Sequence, residues 1–356
     1  MKMEKGLILQ ERDVELLEFL AEYKTITLDN TEYIYGTKTY QEKRICYLVK
    51  EKYLTRLKHK EISLGKKGKE FLVEIGINIK VHCRNPNNIE RLKVISDIAA
   101  FTNFSNTMNF IPSWHLKDRK SPTQDSRRYL GLLTFDKNFY TVYSVYGEKD
   151  DKYITSLYYD LKKEREIYNS IIFTNDIEKI LYYKKSFGFS DKHLYLIEYN
   201  NFNKRIIRNY DKIRTFLFND LSERHSVQYT DFRHMDFLVD NELYFKIMLF
   251  LDINQIGYLS NFIDVNSRYE DKMYFICFSE DEKYLTDLIK NCHTIVIDKS
   301  TIEEYLEKDY IELNGIRMDC PIDSISFSNF NYVCSSIMSL LKFATEKELS
   351  TIIPFP

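Results

Sequence analysis

"TKTYQEKRICYLVKEKYLTRLKHKEISLGKKGKEFLVEI", residues 37–75, changes its periodicity twice along its length. Up to Leu54, Ile45, Leu48 and Val49 share one helical stripe, and Thr37 or Thr39 can cap the start of the helix. Lys38, Gln41, Lys43 and Arg44 fall mainly on the other faces of its first two turns. "YLTRLKHKEISL" then alternates well enough for a short hairpin, with "KHKE" at the tip. "KKGKEFLVEI" closes the stretch as a helix, with three lysines at the strand-to-helix junction.

Upstream, "ERDVELLEFLAEY" (11–23) places Val14, Leu17, Leu20 and Ala21 on one face and acids on the other, which predicts an amphipathic helix. "TLDNTEYIY" (27–35) is a short second segment that ends at Gly36, a turn residue. Three helices and a basic hairpin are the layout of a winged helix-turn-helix. In that motif the second helix of the pair lies in the DNA major groove and offers its amino-terminal residues to base edges. Residues 1–80 are therefore expected to form a winged-helix DNA-binding domain.

The charge distribution agrees. From Gly36 to Lys69 there are eleven Lys or Arg against three Glu, a local +8 in a chain of net charge -2, so the remainder carries -10. A field segregated in this way attracts phosphate at one place and repels it elsewhere. The expected contacts to double-stranded DNA are Lys38, Thr39, Gln41, Lys43 and Arg44 on the recognition helix, with Gln41 and Arg44 as base readers. Arg56, Lys58 and Lys60 on the hairpin, and Lys66, Lys67 and Lys69 on the closing helix, are expected to meet the phosphate backbone. The competing reading is that these charges only solvate a small helical domain, or that the module docks protein.

Three local patterns, "RD-x-x-x-L-x-F-L" from Arg12, "R-x-x-x-L-x-x-x-x-Y-L" from Arg44 and "L-x-x-x-G-x-x-F-L" from Leu64, together resemble the amino-terminal part of the replication-relaxation family. Those are winged-helix proteins of plasmids and other mobile elements. The resemblance covers under a fifth of the chain and implies an α/β domain behind the winged helix.

Downstream, "VHCRNPNNIE" (81–90) reads as a linker and "IERLKVISDIAAFTNF" as an amphipathic helix. Two strands, "RRYLGLLTF" and "FYTVYSVY", are joined at a turn, and helices then alternate with "SIIFT" and "HLYLIEY". This predicts a mixed-sheet α/β domain over 89–240, with a further α/β region over 241–356, so the fold class is α/β (α+β overall). The order resembles the restriction-endonuclease-like core. An active core of that type needs an acid followed by a Glu-x-Lys on the next strand to hold Mg²⁺. Here Asp125 precedes the first strand, but the second has neither acid nor lysine, and Glu148 and Lys152 lie beyond it. The expectation is a scaffold with no catalytic or metal-binding residues and no cofactor.

Other chemistry is without a motif. No glycine-rich phosphate loop occurs, and no two histidines are separated by one residue. "ERHSVQYTDFRHMDF" (223–237) gathers His225, Asp231, His234 and Asp236 and reads as a charged connection. The six cysteines are spread singly, which predicts reduced, buried thiols. Aromatics reach 15% while Gly and Pro are scarce, a balance that fits A/T-rich codons and lends no weight to base stacking. No apolar run attains the roughly 18 residues of a membrane span, and "MKMEKGLILQERD" lacks a signal-peptide core. These features predict a cytoplasmic, non-catalytic DNA-binding protein of a plasmid, phage or conjugative element. It would act in replication, mobilisation or transcriptional regulation, and would pair with itself as a homodimer or with another mobile-element protein. A metal-dependent nuclease, or an assembly protein that senses a partner or ligand, are the alternatives.

Overall fold

The computed structural model describes residues 8–36, 38–57, 60–77, 79, 86–105, 108–116, 128–135, 138–145, 150–164, 169–182, 192–230, 232–289 and 292–306. The chain is a mixed α/β protein of the α+β kind, and it divides into two compact units between Ser144 and Val145.

In the first unit, α1 (Glu11–Tyr23) leads into a two-residue strand, β1 (Ile26–Thr27), and then a short helix, α2 (Glu32–Tyr35). Gly36 ends α2 at φ 81°, a left-handed position that costs glycine little. α3 (Lys38–Lys50), β2 (Leu54–Arg56), β3 (Glu61–Leu64) and α4 (Lys66–Glu74) follow where the periodicity places them. β3 lies between β1 and β2, antiparallel to both, with Ile62 opposite Ile26 and Leu64 opposite Leu54. Leu17, Leu48 and Leu72, from three different helices, are fully buried, each burial contributing about 1.5–3 kcal/mol.

The expected linker ends earlier than its composition suggests, because α5 (Pro86–Asn103) begins at its proline, a residue suited to a first helical turn. Nor does a domain boundary fall at 80–89. Lys93 pairs with Glu61 on β3 at 2.8 Å, Asn103 donates to the Tyr23 hydroxyl at 3.1 Å, and Ser96 donates to the Thr25 carbonyl. These bonds make α5 part of the first unit. β4 (Asn109–Pro112), a strand that the sequence reading missed, pairs with β5 (Tyr129–Phe135), and β5 pairs with β6 (Asn138–Val145), all antiparallel.

The second unit opens with α6 (Asp151–Glu164), β7 (Asn169–Thr174), α7 (Ile177–Tyr182), β8 (Leu194–Glu198), α8 (Asn201–Arg208) and α9 (Tyr210–Ser222). β9 (Val227–Tyr229), β10 (Phe237–Val239), β11 (Leu243–Met248) and β12 (Leu251–Asp252) come next. α10 (Ile253–Val265), β13 (Met273–Phe278), α11 (Ser279–Leu288), β14 (His293–Ile297) and a final helix, α12 (299–306), complete it. β7 and β8 run parallel, as do β11, β13 and β14. The expected break at 240–241 is instead a hairpin turn: Asp240 and Asn241 take positive φ, and β10 pairs directly with β11.

Two smaller readings are settled here. Asp236, in the "ERHSVQYTDFRHMDF" connection, is paired with Arg214 at 2.8 Å and Lys246 at 3.4 Å, while His225 meets Asp240 at 2.8 Å. Asp231 lies outside the described residues. Of the cysteines, Cys277 is buried but Cys46 is exposed, against the expectation of buried thiols; Cys83, Cys320 and Cys334 lie outside the described residues. No helix among the described residues is long and apolar enough to cross a membrane.

Candidate nucleic-acid interface

Asp13 organises the basic end of the first unit. Its carboxylate is fully buried, yet it accepts hydrogen bonds from the Gln10 backbone N–H at 2.7 Å and from the Tyr35 hydroxyl at 2.8 Å. Arg44 completes the set, with Nε donating at 3.0 and 3.1 Å to the two carboxylate oxygens and Nη2 ion-paired to Oδ2. One buried acid thus ties α1, α2 and α3 together. Burial, followed by the charge of Asp13, pushes the Tyr35 phenol well above its ordinary range, and the bond to Asp13 raises Arg44 further.

This corrects two of the expected contacts. Arg44 is held inward by Asp13, and its Nη2 also donates to the Ile8 carbonyl at 2.7 Å. Gln41 is only 1% exposed, and its Nε2 donates to the Leu28 carbonyl at 3.0 Å. Neither side chain is free to meet a base edge. The signal was present in the sequence: Gln41 stands four residues before Ile45 and seven before Leu48, on the buried stripe itself.

The exposed face of α3 consists of other residues. Thr39, Lys43, Cys46, Tyr47 and Lys50 follow one another at helical spacing and are all exposed, Tyr47 by 58%, and Lys38 is exposed at the helix start. β2 adjoins this face, because Arg56 Nη2 reaches Cys46 Sγ at 3.1 Å. Lys60 is exposed on the hairpin with a positive φ of 59°. Lys58 lies outside the described residues. On α4, Lys66 stands 3.9 Å from Glu70 and Lys67 3.5 Å from Glu51, both pairs at the surface, where such contacts contribute little. Lys69 is exposed.

Among the described residues, Lys38, Lys43, Lys50, Lys52, Lys60 and Lys69 have no ion-pair partner. An array of uncompensated ammonium groups with Arg56 beside them can displace counterions from a polyanion. Tyr47 adds an aromatic face and a hydroxyl at the centre of α3, which the sequence reading passed over because tyrosine is so common in this chain. No protein-family model matches this chain, and no curated protein or solved structure matches it significantly.

Proposed function

We propose that this chain is a non-catalytic DNA-binding protein whose first unit is a winged helix-turn-helix, with α3 as recognition helix and the β2–β3 hairpin as wing. The observation that carries the reading is the run of unpaired lysines on the exposed side of α3 and on the hairpin, next to Arg56. The basic patch is local, whereas the chain as a whole is slightly acidic, so a phosphate backbone is attracted to this face above others. The resemblance to the replication-relaxation family supports a role in replication, mobilisation or transcription of a mobile element. Were the sheet of restriction-endonuclease-like type, β6, with neither acid nor lysine, would lack the strand residues that such a nuclease site uses.

A competition titration at fixed salt, using DNA recovered by the chain from its own upstream region, tests the reading. Lys43→Ala with Tyr47→Ala should lower the ratio of site to random affinity by about tenfold, the scale of one lost base contact. Arg56→Ala with Lys60→Ala should weaken both DNAs alike and reduce the salt slope by about 0.9 for each phosphate contact removed. If a folded variant with all four substitutions binds as the parent does, the interface is not here.

A further inference from the structure

The second unit contains a cleft of about 680 Å³, within the usual range for small-ligand sites. Its floor is formed by the carboxyl ends of two parallel strands of one sheet, β7 and β8, and of three parallel strands of another, β11, β13 and β14. Ile197 and Glu198 end β8, Leu249 follows β11, Phe278 ends β13, Asn175 follows β7 and Lys299 follows β14. Crevices outside the carboxyl ends of parallel strands are where α/β proteins place ligands, because loops and helix starts converge there. In this cleft the chain also changes partners: after β11, which pairs with β13, Leu249 and Phe250 carry it to β12, which pairs with β8.

The walls already display one kind of recognition twice. Lys299 Nζ sits 2.5 Å from Glu280 and 4.8 Å from the centre of the Phe202 ring. Lys283 Nζ sits 2.7 Å from Glu178 and 4.6 Å from the centre of the Tyr284 ring. Each ammonium is held by a carboxylate and an aromatic face, the Lys283 set at the surface and the Lys299 ammonium more covered. A third set of the same groups has no ammonium of its own. Asp281 lines the cleft with Glu198 and Glu282, beside Phe250 and Phe278. Glu198 accepts from Asn200 and Glu282 from Thr294, whereas Asp281 has no hydrogen-bond or ion-pair partner among the described residues.

We propose that this cleft binds a small organic amine, with the ammonium between Asp281 and Glu198 and an apolar body against Phe250 and Phe278. The inference rests on the second unit alone and stands apart from the DNA-binding reading. Burial, with Glu280 and Glu198 adding repulsion and Lys299 opposing it, lifts the Asp281 carboxyl to about 7. Acids in the first turn of α11 complement the helix dipole, which favours a lowered acid, so burial and the neighbouring acids outweigh the dipole at Asp281. An incoming ammonium would relieve it. Among the described residues no three His, Cys, Asp or Glu side chains are grouped to hold a metal ion, which favours an organic cation.

Benzylamine is the probe, with benzoate and Mg²⁺ as controls, titrated into the full chain by calorimetry. Saturable benzylamine binding is expected at pH 8, at least tenfold weaker at pH 5.5, where Asp281 is protonated. Asp281→Asn should weaken it at least tenfold at pH 8, and Lys299→Gln should not weaken it. If Asp281→Asn fails to fold by circular dichroism, Glu198→Gln, at an exposed position, takes its place with an expected loss of several-fold. Benzylamine binding unaffected by these acid variants, binding of benzoate in its place, no binding of benzylamine, or a response to Mg²⁺ alone would each overturn the proposal.

Discussion

Asp13 and Asp281 are both carboxyls withdrawn from water, and their surroundings give them opposite roles. Asp13 is matched by a guanidinium, a phenol and a backbone amide, so its charge is satisfied. Removing one partner of such a buried pair leaves an uncompensated charge and costs about 3–5 kcal/mol. Arg44→Ala is therefore expected to lower stability by several kcal/mol in urea unfolding. Lys43→Ala, one residue away but exposed, should change stability by no more than about 0.5 kcal/mol. Equal effects from the two would argue against the buried pair. For Asp281 the sign is reversed. Its folded-state value of about 7 lies above the ordinary carboxyl range, so the unfolded chain releases this proton first and stability falls as pH rises from about 4 through 7. Asp281→Asn should raise the melting temperature at pH 8 and leave it nearly unchanged at pH 4, as read by thermal melts at the two pH values.

α4 is held in place by absent side chains. A Cβ on Gly68 would come within 2.3 Å of the Tyr53 carbonyl oxygen and 3.1 Å of Leu17, and one on Gly65 within 2.3 Å of the Lys52 carbonyl oxygen. Gly68→Ala must push α4 off the β2 end of the hairpin and is expected to cost about 1–3 kcal/mol, the usual penalty of overpacking. A melting temperature equal to the parent's would show that α4 docks more loosely than this. The glycines also explain what was legible. α1, α3, the hairpin and α4 each carry a clear period of 3.6 or 2 with punctuation at Gly36 and Gly65, and all four formed as read. β4, β9 and β10 did not stand out, since strands of three or four residues offer too few positions for a period to register. At the candidate interface, counting charge found the basic patch but not the direction of each side chain. Gln41 and Arg44 look like base readers by residue type; the helical stripe already turns Gln41 inward, whereas the tie of Arg44 to Asp13 on α1 shows only in the structure.

At the scale of the whole chain, the separation of +8 in residues 36–69 from -10 elsewhere governs how binding should respond to ions. With six unpaired lysines and Arg56 as the available cations, the slope of log affinity against log salt is expected to lie between roughly -3 and -6. A slope near zero would exclude phosphate contact. Mg²⁺ or Mn²⁺ should leave supercoiled, linear and single-stranded DNA uncut; nicking that disappears in Asp125→Ala would make the chain an enzyme instead. The division at residues 144 and 145 was hidden from the sequence because no run of Gly, Pro or Ser marks it, and because the most linker-like stretch, near Pro86, starts a helix that packs on β1. The crossing at Leu249 and Phe250 has one more consequence. β12 is only two residues long, so Leu251 opposite Leu196 and Asp252 opposite Tyr195 form the whole ladder joining it to β8. β12 is paired on one side only, so its amides should exchange with deuterium sooner than those of β13, which is paired on both sides. The buried Asp252 carboxylate nonetheless braces the ladder by accepting from the Leu194 backbone N–H at 3.2 Å. Anything that settles in the cleft presses on this same crossing, so slowed exchange at Leu251 becomes a built-in gauge of occupancy.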